Sequence, residues 1–331
     1  MGISISIGIS PRESLRDWMD FSEQAEGRGV DEMWLIDSQL AMKDVYVGLA
    51  GTALRTSHMR LGTGVTNLVT RHPTVTANAI AAVAELSGGR AMLGLGAGDS
   101  AVYGLGARPS RVAEMEEAVS FFSTALAGGQ GTWHGARYGL AQAVPPTPVF
   151  LAVSQARMCR LAGQFADGAI IMGPAQPDLL SRQISWVEEG IAAAGRKRED
   201  VTICFITTMS LRQDRDAALA DVRSWASAQA RLQADVRELP ASLQPFRAEI
   251  AAAKSGYDYS EHLSTRAQHQ AAVSDELVRA LAIAGTADDC VPRLQDLLRT
   301  GVDRLIFPLM GGNRLERLDV LMKYAEPAMR V

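Results

Sequence analysis

Eight times along this chain of 331 residues, a short run of β-branched and apolar residues is followed by a longer stretch whose apolar positions recur at helical spacing. That alternation constrains the fold more than any single motif. Adjacent parallel strands can be joined only by a crossover that returns the chain to the same end of the sheet, and a helix is the usual crossover. The strand-like runs fall at residues 3–9, 33–36, 61–66, 91–96, 149–153, 168–172, 201–208 and 304–308. The helical patterns fall at 14–28, 45–54, 74–86, 112–126, 156–165, 178–194, from 214 onward, and at 315–328. Residues 3–9 alternate Ile with Ser or Gly, which suits a strand with two unlike faces. Eight units predict an α/β fold, a TIM-type (β/α)8 barrel forming one domain over 1–331. A doubly wound open sheet is the alternative.

Two stretches break the rhythm. Residues 128–148 are rich in Gly and Pro and predict a hairpin or loop excursion. Residues 237–284 are mostly helical in pattern and form an insertion between the seventh and eighth strands. Such insertions shape the mouth of a barrel's site. The 47% hydrophobic content suffices for a large core. A net charge of -4 gives no electrostatic footprint for nucleic acid. No apolar run approaches the roughly 18 residues of a membrane span. The start of the chain lacks the basic and cleavage regions of a signal peptide. Cys159, Cys204 and Cys290 are isolated in sequence, which suits buried thiols in a reducing, cytoplasmic setting. The five histidines show no i,i+4 pair and no neighbouring cysteine cluster, so no metal site is expected.

In a barrel, chemistry gathers at the C-terminal ends of the strands. That rule selects Ser10; Asp37 and Ser38; Thr66 and Asn67, leading to Arg71 and His72; Gly96 to Ser100, with Gly98 and Asp99; Ser154 and Gln155; Met172 and Gly173; and Pro308 to Met310. The glycines of GLGAGDSAVYG follow a fourth strand rather than a first, which argues against a dinucleotide fingerprint. They serve close packing in a tapering barrel and the approach of a flat ring, with Asp99 pointing into the cavity. Ser154 and Gln155 precede a helix whose free N–H groups would face the mouth, and Arg157 adds a cation. This is either an anion site or a plain helix cap with a solvated Arg. His72 is either a hydrogen-bonded structural residue or a proton handler, and Asp37 either a cap or a ligand contact. Pro73 starts the third helix. Glu85 and Arg90 lie on the opposite face, where structural ion pairs are expected.

The segments LGTGVTN, TRHP, ELSGGRAMLGLGAGD and LAGQFADGAII together resemble the bacterial-luciferase-like superfamily, and within it the methylenetetrahydromethanopterin-reductase-like branch. The resemblance implies an oxidoreductase with FMN or coenzyme F420 in the barrel mouth. It implies a non-prolyl cis peptide at Gly64–Val65 backing the ring, beside Thr66 and Asn67. Asp99 falls on the family's acidic position. Ser154, Gln155, Ala156 and Arg157, with Gly173, fall on its phosphate-binding turn. Ser38 stands where many F420-using relatives carry His, a departure that favours reduced FMN and a monooxygenase acting on a small organic substrate. On that reading a separate flavin reductase supplies reduced FMN. His72 and Asp99 would handle protons, and Arg71 would orient an anionic substrate. The alternatives are an F420-dependent hydride transfer to an enone, imine or pterin-like acceptor, with Arg12, Arg157, Lys254 and Arg266 meeting the polyanionic tail, or a non-catalytic flavin-binding relative. A homodimer is implied.

Overall fold

The computed structural model describes residues 3–236, 239–264, 266–309 and 313–328. Eight parallel strands close into a ring: β1 (Ile3–Ile7), β2 (Val30–Leu35), β3 (Arg60–Thr63), β4 (Ala91–Gly96), β5 (Val149–Val153), β6 (Gly168–Met172), β7 (Thr202–Ile206) and β8 (Arg304–Pro308). Each pairs with the next, and β8 returns to β1 with Ile306 opposite Ser4. The open-sheet alternative is thereby excluded. Around the ring lie α1 (Leu15–Gly27), α2 (Val45–Arg55), α3 (Pro73–Leu86), α4 (Val112–Leu126), α5 (Ala156–Phe165), α6 (Pro177–Ala193), α7 (Arg215–Gln233) and α8 (Arg314–Ala328).

Strand parity sorts the side chains into two layers. Ile3, Ile5 and Ile7 join the layer between strands and helices. Ser4 and Ser6 take the other face, toward the barrel interior, where Trp34, Met92, Phe150, Ile170, Cys204 and Ile306 pack together. At the lower end of that interior the buried carboxylate of Glu32 accepts from Ser4 Oγ at 2.9 Å and Arg60 at 3.2 Å, and pairs with Arg304.

Several elements differ from expectation. The third strand splits: Arg60–Thr63 stops, the cis peptide Gly64–Val65 follows, and Thr66–Asn67 resumes pairing with β4. The run 201–208 ends early as a strand, at Ile206. Met209–Leu211 leaves the barrel and pairs in parallel with Ile283–Gly285. A helix over Ala287–Leu298, opened by a capping box of Thr286 and Asp289, precedes β8. In the 128–148 stretch, Gly131–Trp133 and Ala136–Tyr138 form an antiparallel hairpin. Arg90 makes no ion pair with the exposed Glu85. It donates instead to the carbonyls of Ala53, Thr56, Met59 and Ser87 and to the Thr56 hydroxyl. The last carbonyls of α2 have no intrahelical donors, and the guanidinium supplies them.

Between α7 and Ile283, the segments Ala241–Phe246, Arg247–Ser255 and Asp275–Leu281 pack on α7 through Leu219, Val222, Ala226, Leu243, Ile250 and Leu277. Tyr257 and Leu263 of this segment join Trp225 of α7 and the barrel-interior residues in one apolar cluster. The segment is therefore a cap over the C-terminal mouth. Residue 237, the expected start of the insertion, and Met310, expected at the rim, lie outside the described residues.

Candidate active site

Under the cap, at the C-terminal ends of the strands, lies a cavity of about 350 Å³. That is within the range of roughly 300–1,000 Å³ usual for small-molecule sites. Its walls come from the strand ends and from α7. Asp37, Gly64, Val65, Thr66, Asn67, Gly98, Asp99, Ser154 and Gln155, all selected from sequence, line it. Ser38, Arg71, His72, Ala156, Arg157 and Gly173 are not among its lining residues.

The floor is built by close approach. A Cβ on Gly94 would lie 2.1 Å from the Thr63 carbonyl oxygen, and one on Gly96 would lie 2.8 Å from Val65 Cγ2. Only glycines let the Val65 bulge lie against β4. Trp34 and Phe150 meet edge to face beneath it, with ring centroids 5.2 Å apart. On this floor Ser6 Oγ and Trp34 Nε1 are buried and have no hydrogen-bond partner among the described residues.

At the end of β2, the buried Asp37 accepts from Thr66 Oγ1 at 2.7 Å and from Arg71 Nη1 at 2.5 Å. Arg71 also donates to Asp44 at 2.9 Å and lies over the Tyr46 ring, 5.1 Å from its centroid. Burial, and then the Asp37 charge, push the Tyr46 hydroxyl up to about 12. Arg71, expected to orient an anionic substrate, is paired with two carboxylates and does not line the cavity. His72, expected either as a structural residue or as a proton handler, also stands outside the lining. It is exposed, caps α3, and its Nδ1 lies 2.8 Å from Thr74 Oγ1 and accepts from the Thr74 N–H at 3.3 Å. The imidazole serves as a helix cap and does not line the cavity. Ser38 is buried, with its Oγ 3.2 Å from Ser100 Oγ. Asn67 shapes the turn: its Oδ1 accepts from the N–H groups of Val69 and Thr70.

At the end of β4, Gly98 has φ +103°, a left-handed conformation that leads into Asp99 and the helix Ser100–Tyr103. Asp99 meets Arg231 of α7 at 2.5 Å. The Arg231 side chain is 2% exposed and lies over the rings of Tyr257 and Tyr259, 5.2 and 5.4 Å from their centroids. Burial raises the Asp99 carboxyl above the ordinary carboxylate range, against the pull of Arg231. Tyr257 Oη lies 2.7 Å from His262 Nδ1. Burial, aided by the Arg231 charge, pushes the His262 imidazole down to about 3, so it is neutral.

At the ends of β5 and β6, Gln183 Nε2 donates to the carbonyls of Ser154 at 2.9 Å and Met172 at 3.2 Å. Gly173 sits against this clamp: a Cβ there would lie 3.2 Å from Gln183 Oε1. Arg157, in the first turn of α5, is exposed. Among the rim cations expected from sequence, Lys254 is paired with Asp235, whereas Arg12 and Arg266 are exposed.

The contribution of α7 was not found from sequence. Trp225, Gln229, Leu232, Gln233 and Val236 line the cavity at i, i+4, i+7, i+8 and i+11 on and just beyond one helix. That spacing is the available signal. The rule that sorted the strand ends does not reach a helix that folds back over them.

The closed parallel barrel, its bulged third strand and the capped mouth define a (β/α)8 protein whose site lies at the C-terminal ends of the strands. The chain belongs to the luciferase-like monooxygenase family, which matches over residues 1–304, and it is a luciferase-like oxidoreductase. It is 28% identical over 318 residues to the 5,10-methylenetetrahydromethanopterin reductase of Methanolobus tindarius, covering 92% of this chain and 93% of that one. Its fold is similar to the coenzyme F420 dependent tetrahydromethanopterin reductase of Methanopyrus kandleri, with a TM-score of 0.80 and 22% identity over 99% of this chain and 100% of that one. It is also similar to the oxygenating constituent of 3,6-diketocamphane monooxygenase of Pseudomonas putida in complex with FMN, with a TM-score of 0.69 and 18% identity over 99% of both chains.

Proposed function

We propose that this protein is an F420-type deazaflavin-dependent oxidoreductase acting on a small organic molecule. The observation that carries the proposal is the capped, mainly apolar cavity whose rim holds Asp99 on one side and the turn into α5 on the other. The residues fit such a cofactor. The Val65 bulge over the glycines of β4 offers a flat floor, and Ser6 Oγ and Trp34 Nε1 offer unmet hydrogen bonds. Ser154, Gln155 and the first free N–H groups of α5 would hold a phosphate, with Arg157 in the same turn. Bound there, a deazaflavin supplies or accepts a hydride. The chain itself contributes position, dryness and a proton site. Asp99, with its affinity for a proton raised by burial, would hold that proton at the cavity wall. Arg231 would keep the carboxyl in place.

The likeness to the coenzyme F420 dependent reductase of Methanopyrus kandleri across 99% of this chain supports F420 over FMN. The inclination to FMN rested on Ser38, which is turned toward Ser100 and lies outside the cavity lining, so its identity carries little weight. A reduced-FMN monooxygenase is the second reading. The apolar cavity favours it, because oxygen chemistry on a flavin requires exclusion of water. Exposed Val47 and Leu54 on α2 and Val75 on α3 support a homodimer through the barrel helices. Three buried free cysteines support a cytoplasmic setting. No helix among the described residues is long and apolar enough to cross a membrane.

Titration of the purified protein with F420 and with FMN, followed by fluorescence, tests the assignment. Saturable binding of F420, and its reduction or oxidation in step with substrate turnover, is the expected result. Binding of FMN alone, with oxygen consumed, would replace it with the second reading.

A further inference from the structure

One ion pair in the cavity wall is lopsided. Asp99 lines the cavity with its side chain 35% exposed, whereas Arg231, 2.5 Å away, is 2% exposed and is not among the lining residues. A plain brace between two elements would treat both charges alike. Here the carboxylate is presented to the cavity and the cation is kept behind it. Asp99 stands at the start of the helix Ser100–Tyr103 without a side-chain capping bond, so the helix does not account for its place.

A buried guanidinium carries several N–H donors that need answering. Arg231 gives Nη2 to Asp99, and its Nε has no partner among the described residues. The rest of the cation is received by aromatic rings. Its guanidinium carbon lies 5.2 Å from the ring centroid of Tyr257 and 5.4 Å from that of Tyr259. The two rings meet edge to face, 5.3 Å apart. A planar cation against ring faces is held in orientation as well as in place. Both tyrosines belong to the cap. Tyr257 is anchored by His262, Oη to Nδ1 at 2.7 Å, and Tyr259 by the ring of Tyr103, in the helix that Asp99 opens. The contacts run from rim to α7, from α7 to cap, and from cap back to rim.

We propose that Tyr257 and Tyr259 are positioning residues: their rings fix Arg231, and Arg231 fixes the Asp99 carboxyl at the cavity wall, so the proton site is assembled only with the cap seated. This rests on the reading of Asp99 as that site and deepens it. Neither tyrosine is among the lining residues, so both act through the arginine.

The charged and titratable groups around the Asp99 carboxyl are Arg231 of α7, Asp235 just beyond it and paired with Lys254, Tyr103, and from the cap Tyr257, Tyr259 and the neutral His262. The test titrates that carboxyl by carbon NMR in the full chain labelled at aspartate, without cofactor, the signal being assigned with Asp99→Asn. Arg231→Gln removes the cation and should raise the Asp99 midpoint by about one pH unit or more. Tyr257→Leu/Tyr259→Leu keeps an apolar cover and removes the ring faces. The guanidinium then loses its seat, and the midpoint should rise by about half as much or more. The same two leucines on the Arg231→Gln background should raise it no further, because the rings act through the cation. Tyr259→Phe keeps the ring and should leave the midpoint where it is. The acid limb of F420 turnover should move with the midpoint in each variant. An unchanged or lowered midpoint in the leucine variant, or a further rise on the Arg231→Gln background, would overturn the proposal. If amide spectra show the double leucine variant unfolded, Tyr259→Leu alone carries the same expectation and the same refutation. Failure of F420 to bind would count against the cofactor assignment alone, because the titration is made on the free protein.

Discussion

Asp99 and Arg231 join the barrel rim to α7, on which the cap packs, through one contact at 2.5 Å, with the arginine almost wholly buried and the carboxylate about a third exposed. Removing only the acid strands the cation. Breaking a fully buried pair costs about 3–5 kcal/mol, and the partial exposure of Asp99 brings the expectation for Asp99→Asn down to about 2–3 kcal/mol. Turnover should fall as well. The double variant Asp99→Asn/Arg231→Met should regain stability without regaining turnover, which thermal melts and steady-state rates would separate. Recovery of both would remove Asp99 from the mechanism. His262 gives a pH prediction. Its folded-state affinity for a proton is depressed, to about 3, so between that pH and about 6.5 the unfolded chain binds more protons than the folded one. The contribution to stability is complete above about pH 6.5 and is lost as the pH falls toward 3. The wild type should lose more stability between about pH 7 and pH 5 than His262→Gln, as measured by urea midpoints.

The helices show which parts of the sequence were readable. Eight strand-helix units were legible because burial imposes periods of 2 and 3.6 on the chain, and Asp37, Asp99, Ser154 and Gln155 were legible because barrel geometry sends strand ends to one rim. The break after Ile206 was not, because the buried, β-branched Thr207 and Thr208 suit a continuing strand and the pairing of Met209–Leu211 with Ile283–Gly285 is a long-range choice. Arg90 was misassigned for a related reason: its partners are backbone carbonyls, which no sequence pattern marks. Close helix packing is equally silent except through glycine. A Cβ on Gly190 of α6 would lie 2.1 Å from the Arg160 carbonyl oxygen of α5, so the two helices touch there through backbone. Gly190→Ala must push them apart, and should destabilise by about 2–3 kcal/mol. It should also weaken phosphate-bearing cofactor binding, since Gln183 of α6 clamps the Ser154 carbonyl. Gly27→Ala is the control. It has open space and an ordinary φ, and should be neutral or stabilising by up to about 1 kcal/mol in denaturant titrations.

At the scale of the whole molecule, stability is divided between two bodies of different construction. The barrel is a closed ring of ladder hydrogen bonds between two apolar layers. The cap rests on short helices and 3₁₀ turns, shares a small cluster with α7, and reaches the rim through the rings of Tyr103 and Tyr259, 5.2 Å apart, while α7 beneath it reaches the rim through Asp99–Arg231. Segments with few ladder bonds open at lower free energy than strands held on both sides. Amides of 239–264 should therefore exchange with deuterium well before those of β1 to β8 in the free protein. A ligand that fills the cavity contacts both bodies, and at ten times its dissociation constant it stabilises the closed form by about 1.4 kcal/mol. Exchange in the cap should then slow about tenfold, with little change in the strands, whose exchange already requires larger openings. Equal protection of cap and barrel would mean that the two open as one unit and that the cap does not control entry to the cavity.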